Sequence, residues 1–290
     1  MESIKRFVDK MKLQSLALIV FSAAFSNFCA GERIVVLHTI GSKSQFYAVR
    51  PVIEELAKRG HKMTVFTPFK GITQNKENIS EVVLPNVARI MEEADIDWFV
   101  MQKQGAMQAF TMLDSMTTLF IAACEQLLTH PEFRKIVEER NVDLFIVDAL
   151  FHEFTYPIID KVGVPFVIHS SSGAFPSTLY AMGAPLEYAS VPNYLSDFNN
   201  QMTFLERLMN VLTGEMIKPL QNYYFAKQLE AIVQREFPGV RSMAELEGEP
   251  SLYIINTHPV INWPRSLPPT ILPIGALHVT QPKPLPQVGK

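Results

Sequence analysis

The stretch from Val142 to Asp148 constrains the fold more than any other part of the chain. It reads VDLFIVD, a short apolar run that ends in a carboxylate and leads into Ala149. Such a run is typical of a strand buried on both faces of a parallel sheet and followed by a helix. Ligands of open parallel sheets bind at the carboxyl ends of the strands. Asp148 is therefore a candidate site residue, although a helix cap would explain it equally well.

Residues 33–66 predict a strand, a helix and a second strand. Arg33 to Thr39 reads as the first strand, an amphipathic helix runs from Phe46 or Tyr47 to Arg59, and Lys62 to Phe66 follows. This order indicates a parallel pair with a right-handed crossover. The first turn has no GxGxxG, so a dinucleotide site is not expected there. Further strands are predicted at residues 79–84, 165–169, 252–256 and 271–274. We therefore predict an α/β fold, a Rossmann-like, doubly wound, mostly parallel sheet.

Three stretches between these strands have helical or irregular patterns. Residues 97–138 have a methionine-rich helical face, which could be core or the wall of an adaptable apolar pocket. Residues 176–200 predict an irregular surface excursion. Residues 202–237 predict two helices broken at Pro219.

Composition excludes several classes of protein. A net charge of -3 and no basic patch with interleaved aromatics argue against nucleic acid as a partner. Two cysteines, Cys29 and Cys124, exclude a disulfide scaffold, and no metal-ligand spacing is present. We therefore expect no metal and no cofactor bound by this chain.

The two ends of the chain differ from its middle. A basic start and the apolar run from Leu13 to Phe25 predict a secretory signal peptide over residues 1–30; a short buried helix or an uncleaved anchor are the alternatives. No later run is apolar and long enough to span a bilayer. Asn78 begins an N-glycosylation sequon, which fits the lumen of the endoplasmic reticulum. The Pro-rich residues 281–290 predict a linker, so the folded domain should cover residues 31–280.

Several motifs in order resemble the N-terminal half of the UDP-glycosyltransferases, the family that includes the UDP-glucuronosyltransferases. They are residues 43–46 (KSQF), 54–65 (EELAKRGHKMTV), the Asp148 strand, 192–197 (PNYLSD), 202–208 (MTFLERL) and 264–269 (PRSLPP). The resemblance implies a GT-B fold of two Rossmann-like halves, of which this half binds a small lipophilic acceptor. The half that binds the UDP-sugar co-substrate is expected to lie outside these 290 residues. We therefore expect this chain alone to be inactive.

The resemblance also assigns a catalytic pair. The family's inverting transfer uses a histidine base directly after the serine of the first loop, and Asp148 matches the carboxylate that orients it. Here Gln45 stands at the base position, and an amide cannot take up a proton at neutral pH. The protein could be inactive on hydroxyls, could act on amines, or could use another histidine. Of those, His169 is the preferred substitute, His38 is interpreted as core, and the direction of His152 is open.

Acceptor-binding residues are predicted from position at the strand ends and on the methionine-rich face. They are Phe46, Phe151, Ser170, Ser171, Phe175 and Met107. A non-catalytic rival role remains open: a truncated homologue that binds lipophilic ligands or pairs with full-length relatives. The amphipathic residues 202–237 could also lie on a membrane surface, although a packed helix pair is the simpler interpretation.

Overall fold

A computed structural model describes residues 31–74, 76–93, 106–193, 196–258 and 260–279, without the side chains of residues 106–115, 217–218 and 221–223. The predicted signal peptide (residues 1–30) and linker (residues 281–290) lie outside the described residues. The strands of its sheet are β1 Arg33–Leu37, β2 Lys62–Thr67, β3 Ile79–Val83, β4 Leu144–Asp148, β5 Phe166–Ser170, β6 Leu252–Ile255 and β7 Ile271–Pro273.

The strands form one parallel sheet in the order β3-β2-β1-β4-β5-β6-β7. Chain order runs outward in one direction from β1 and in the other from β4, so the switch point lies between these two strands. The predicted doubly wound parallel sheet is confirmed. Ligands of such sheets bind in the crevice outside the carboxyl ends at the switch point. In this chain that crevice lies beyond Leu37 and Asp148.

Helices cover both faces of the sheet. They are α1 Lys43–Lys58, α2 Pro85–Glu93, α3 Ala106–Thr129, α4 Pro131–Glu139, a 3₁₀ turn Glu153–Thr155, α5 Tyr156–Val162, α6 Pro176–Ala181, α7 Phe204–Gln221, a π-turn Asn222–Ala226, α8 Lys227–Glu236 and α9 Met243–Leu246. Of these, α2, α6 and α9 were not predicted, and α6 begins the stretch of residues 176–200 that was expected to be irregular. Two of them, α2 and α6, begin at a proline, whose fixed φ suits the first helical turn.

Each face of the sheet packs against its own hydrophobic core. Ile34 and Val36 of β1 pack with Ile146 of β4 and with Phe46 and Ile53 of α1. The alternate strand residues pack against the larger helical layer on the opposite face, which includes the fully buried Cys124. Side chains alternate between faces along a strand, so the residues at positions 38 and 148 share the face of α1.

The predicted break at Pro219 is wrong. Pro219 lies inside α7, which runs on to Gln221. The irregularity follows it, as the π-turn Asn222–Ala226 that joins α7 to α8. Local π-adjustments re-satisfy backbone groups where the regular helical ladder is interrupted. The helix therefore continues past Pro219 and changes to π geometry only at Asn222.

None of the helices in the described ranges combines the length and apolarity needed to cross a bilayer.

Candidate functional site

A row of polar side chains ends the three central strands. Leu37 pairs with Val147, and Asp148 pairs with His169. The residue after β1, His38, is therefore set beside Asp148, which has His169 on its other side. All three side chains are buried: His38 is 1% exposed, Asp148 6% and His169 2%. The row lies at the switch point of the sheet.

Asp148 and His38 form a hydrogen-bonded pair. His38 Nδ1 lies 3.0 Å from Asp148 Oδ2. The other carboxylate oxygen accepts from the backbone N–H of Leu150 at 2.8 Å. Burial raises the pKa of Asp148, but its contact with His38, helped by the nearby His152 and by the Leu150 N–H, lowers it by more, so the net pKa lies below its usual value. Asp148 is thus held as a carboxylate.

The ring of His38 is fixed by its neighbours. Its edge meets Phe46, with ring centroids 5.3 Å apart, and Phe69 lies 6.5 Å away. Its Nε2 is buried and, within the described residues, has no hydrogen-bond partner. The interpretation of His38 as a core residue holds for its burial, but it missed the contact with Asp148.

His152 is a structural residue of the same loop. Its Nδ1 lies 2.6 Å from the carbonyl oxygen of Leu150, and its Nε2 accepts from the backbone N–H of Thr39 at 2.9 Å. Burial lowers its pKa to about 4, against the opposing charge of Asp148. The neutral ring therefore ties the loop after β4 to the end of β1.

His169, the predicted substitute base, has a different environment. Neither ring nitrogen has a hydrogen-bond partner among the described residues. Burial lowers its pKa to about 4, although Asp148 raises it in part. The register places His169 beside Asp148, but the hydrogen bond of Asp148 goes to His38.

Gln45 is committed to the start of α1. Its Oε1 accepts from the backbone N–H of Ser42 at 2.6 Å, and Ser42 caps the N-H of Gln45 in return, which completes a capping box. The structure shows no contact between Gln45 and Asp148. Gln45, which the resemblance places at the family's base position, therefore serves here as part of a helix cap.

The predicted acceptor residues fall into two groups. Phe46 and Ser170 are buried: Phe46 packs under His38, and Ser170 Oγ donates to the carbonyl of Gly173 at 2.9 Å. Ser171, Phe175 and Phe151 are partly exposed at the carboxyl edge of the sheet. The side chain of Met107 lies outside the described residues.

Phe151 is the most unusual of these residues. Its φ is +56°, a left-handed conformation that is rare for an aromatic residue and is often found at functional sites. Its ring stacks on Phe120 at 4.2 Å and meets the edge of Phe225, from the π-turn, at 5.2 Å. Sequence reasoning found Phe151 but missed Phe225, because no local pattern marks a π-turn.

A cavity of about 380 Å³ opens beside Phe151 in the larger helical layer. Its lining residues come from α5, α6, the π-turn, α8 and α9, and they include Tyr156, Phe225, Lys227, Glu230 and Met243. Among the predicted acceptor residues with described side chains, Phe151 alone lines it. The cavity is therefore separate from the buried His38–Asp148 pair.

Asn78 is exposed, and its φ is +59°. Its side-chain amide donates to the carbonyl of Ala57 at 3.2 Å.

Within the described ranges, no group of three or more His, Cys, Asp or Glu side chains could hold a metal ion.

The fold and the polar row define an open α/β protein with buried polar side chains at the switch point of a parallel sheet. The family model for UDP-glucoronosyl and UDP-glucosyl transferases matches residues 34–289. The chain belongs to that family of sugar transferases, as the sequence motifs indicated.

The individual relatives have low sequence identity to this chain. UDP-glycosyltransferase UGT5 of Dactylopius coccus is 29% identical over 91% of this chain and 51% of its own length. Human UDP-glucuronosyltransferase 2B7 is 22% identical over 94% of this chain and 53% of its own. The structure of CalG4, the calicheamicin glycosyltransferase, aligns with a TM-score of 0.47 at 11% identity, over 84% of this chain and 53% of that one. The chain spans about half the length of the curated relatives it matches.

Proposed function

We propose that this chain is the acceptor-binding, N-terminal half of a GT-B UDP-glycosyltransferase. The observation that carries the proposal is the buried carboxylate of Asp148 at the switch point of a sheet whose sequence belongs to this family. Buried charges are rare unless they are paired or functional, and perturbed carboxylates cluster at active sites. The acceptor then lies at the carboxyl ends of β1, β4 and β5.

The acceptor is a small molecule with a lipophilic body. Phe151, in the loop after Asp148, meets Phe225, and the two rings give an aromatic wall near the carboxyl end of β4. Apolar walls with few polar groups are typical of pockets that hold such molecules. The donor is a UDP-sugar, and the reaction inverts the anomeric carbon. We assign the donor site to the part of the relatives that this chain does not match, so the chain alone binds acceptor without transferring sugar.

Equilibrium binding of a naphthol and a naphthylamine to the 290-residue chain tests the proposal. We expect both to bind, and we expect Phe151→Ala to weaken binding about tenfold or more, since a buried aromatic contact contributes about 1.5–3 kcal/mol. Tyr47→Ala, which removes an exposed aromatic on α1, is the matched control and should have no effect. No binding by the wild type would refute the proposed function. Sugar transfer by this chain alone would refute its assignment to the acceptor side.

The rival function is non-catalytic binding of lipophilic ligands, with full-length relatives as possible partners. Gln45 favours it, because the residue at the base position is a helix cap. Adding the donor half of a relative to this chain, together with acceptor and UDP-sugar, distinguishes the two functions. Transfer to a bound acceptor supports the transferase, and binding without transfer supports the rival.

We also propose that α7 contacts a membrane surface. Its outward face carries Phe204 (79% exposed), Leu205 (68%) and Leu212 (51%), with Leu208, Met209, Val211 and Met216 alongside. At 100° per residue these positions cover an arc of about 160°, wider than the stripe that one packed helix needs. The opposite face is fixed, because Asn210 is fully buried and bonds the backbone of Tyr188, Val191 and Asn193.

Flotation with anionic lipid vesicles tests this contact. We expect the wild-type chain to float and Leu208→Glu with Leu212→Glu to stay in solution. Arg59→Glu, on the exposed end of α1, is the control. If the double leucine variant floats as well as the Arg59→Glu control, the membrane contact is refuted. Self-association that the double variant abolishes, without flotation of the wild type, would assign the face to a second protein chain.

Entry into the lumen of the endoplasmic reticulum completes the proposal. The exposed Asn78 supports it as an accessible glycosylation site. Expressed in animal cells, the protein should shift in mass on glycosidase treatment, and Ser80→Ala should remove that shift. A single unshifted form of the wild type would contradict it.

A further inference from the structure

We propose that His38 is the general base of the acceptor site, in place of the histidine that Gln45 replaces. The inference rests on the proposed function. A hydroxyl acceptor needs a base that is oriented by a carboxylate and has a free lone pair aimed at the acceptor. His38 has the first feature through its contact with Asp148 at 3.0 Å.

The free lone pair is the Nε2 atom of His38. Asp148 is ionised and can only accept, so it selects the tautomer of His38 that carries its proton on Nδ1. Nε2 is then an acceptor, and among the described residues nothing donates to it. A buried acceptor without a donor is costly, and native structures rarely leave one unpaired. The hydroxyl of an acceptor molecule supplies the missing donor.

The other candidates lack one of the two features. Both nitrogens of His152 are bonded, to the Leu150 carbonyl and the Thr39 N–H. His169 has free nitrogens, but among the described residues neither of them is hydrogen-bonded to a carboxylate. Gln45 cannot accept a proton, and its oxygen is occupied by the N–H of Ser42.

His38 and Gln45 face the same turn. A Cβ built on Gly41 would lie 2.6 Å from Gln45 Oε1 and 3.3 Å from His38 Cε1. Gly41 has φ +118°, a conformation open to glycine, so the turn passes close to both side chains. Gly41 is therefore close both to His38 and to Gln45, which the resemblance places at the family's base position. The base has moved from the first turn of α1 to the end of β1, while the carboxylate has stayed in place.

The reaction step follows from these atoms. As the acceptor oxygen forms a bond to the anomeric carbon of the sugar, its proton moves to His38 Nε2. The bond between that carbon and the UDP oxygen breaks, and its electron pair leaves with UDP. Asp148 stabilises the imidazolium, which later releases the proton to water.

The test uses the 290-residue chain and p-nitrophenol, whose phenolate absorbs visible light and whose neutral form does not. We expect bound nitrophenol to ionise more readily on the wild type than on His38→Gln, by about tenfold or more in its acid dissociation constant, which is one pKa unit. The matched control is His169→Gln, which makes the same change on the other side of Asp148 and should leave the bound phenolate unchanged.

Each result has a defined meaning. Binding with a phenolate fraction that His38→Gln does not change overturns the inference and leaves the proposed function intact. Loss of phenolate in His169→Gln alone assigns the base to His169. No binding of nitrophenol by the folded wild type overturns the proposed function and this inference with it. If His38→Gln does not fold, the imidazole nitrogen spectrum of the wild type decides. The Nε2 signal of His38 must move on binding a phenol, and an unmoved signal overturns the inference.

Discussion

The neutral, buried His169 makes the stability of the protein depend on pH in a way that one substitution can isolate. The pKa of His169 is lowered by burial from 6.5 to about 4. Between these two values the unfolded chain binds a proton that the folded chain does not, so stability falls as the pH falls through this window. From pH 7 to pH 5 the loss is about 2 kcal/mol for one such histidine. His152, with a pKa of about 4, adds a similar amount.

Glutamine at position 169 does not titrate, so His169→Gln should remove about 2 kcal/mol of the loss between pH 7 and pH 5, roughly half of the part due to the two histidines. The measurement is the free energy of unfolding in urea at both pH values, with proton uptake on unfolding as a second readout. His278→Gln, which changes an exposed histidine, is the control. An unchanged pH dependence in His169→Gln would refute the reasoning, because His169 would then titrate as it does in water.

Three further substitutions test the site. Asp148→Asn replaces the carboxylate that His38 Nδ1 and the Leu150 N–H contact by a weaker acceptor, and we expect a loss of about 1–3 kcal/mol in unfolding free energy at neutral pH; no loss would mean that these hydrogen bonds do not stabilise the fold. Gln45→Ala removes half of the capping box and should cost about 0.5–2 kcal/mol in the same assay while leaving the ionisation of bound nitrophenol unchanged. Gly41→Ala strains a φ of +118° and crowds His38, so it should cost about 1–3 kcal/mol, more than Gly163→Ala, where φ is +81° and the space is open; equal losses would contradict the close turn.

Much of the sheet could be predicted from the sequence. Buried parallel strands are short apolar runs, and those at residues 62–66, 79–84 and 252–256 lie within one or two residues of β2, β3 and β6. The helices were harder. Pro219 suggested a helix break, but packing overrides propensity in a long helix, and the π-turn that follows has no local signature.

Only part of the site could be predicted, because contacts between side chains on different strands depend on how those strands pair. Asp148 could be found because a carboxylate after an apolar run is a local signal. Its partner could not, because a side chain's neighbours across a sheet depend on the pairing of β1 with β4, 110 residues along the chain. Alternation then places His38, and not its neighbours Leu37 and Thr39, on the face that Asp148 shares.

The same separation has a consequence for biosynthesis. β1 can pair with β2 as soon as residues 33–67 have left the ribosome, but its other edge stays open until β4 emerges. At about 5–20 residues per second, synthesis of the 110 residues between His38 and Asp148 takes roughly 5–20 s. During that time β1 is an unpaired apolar edge, which readily joins other strands. Chains interrupted before residue 148 should therefore aggregate and depend on chaperones, whereas those that pass it close the sheet and assemble the buried pair in one step.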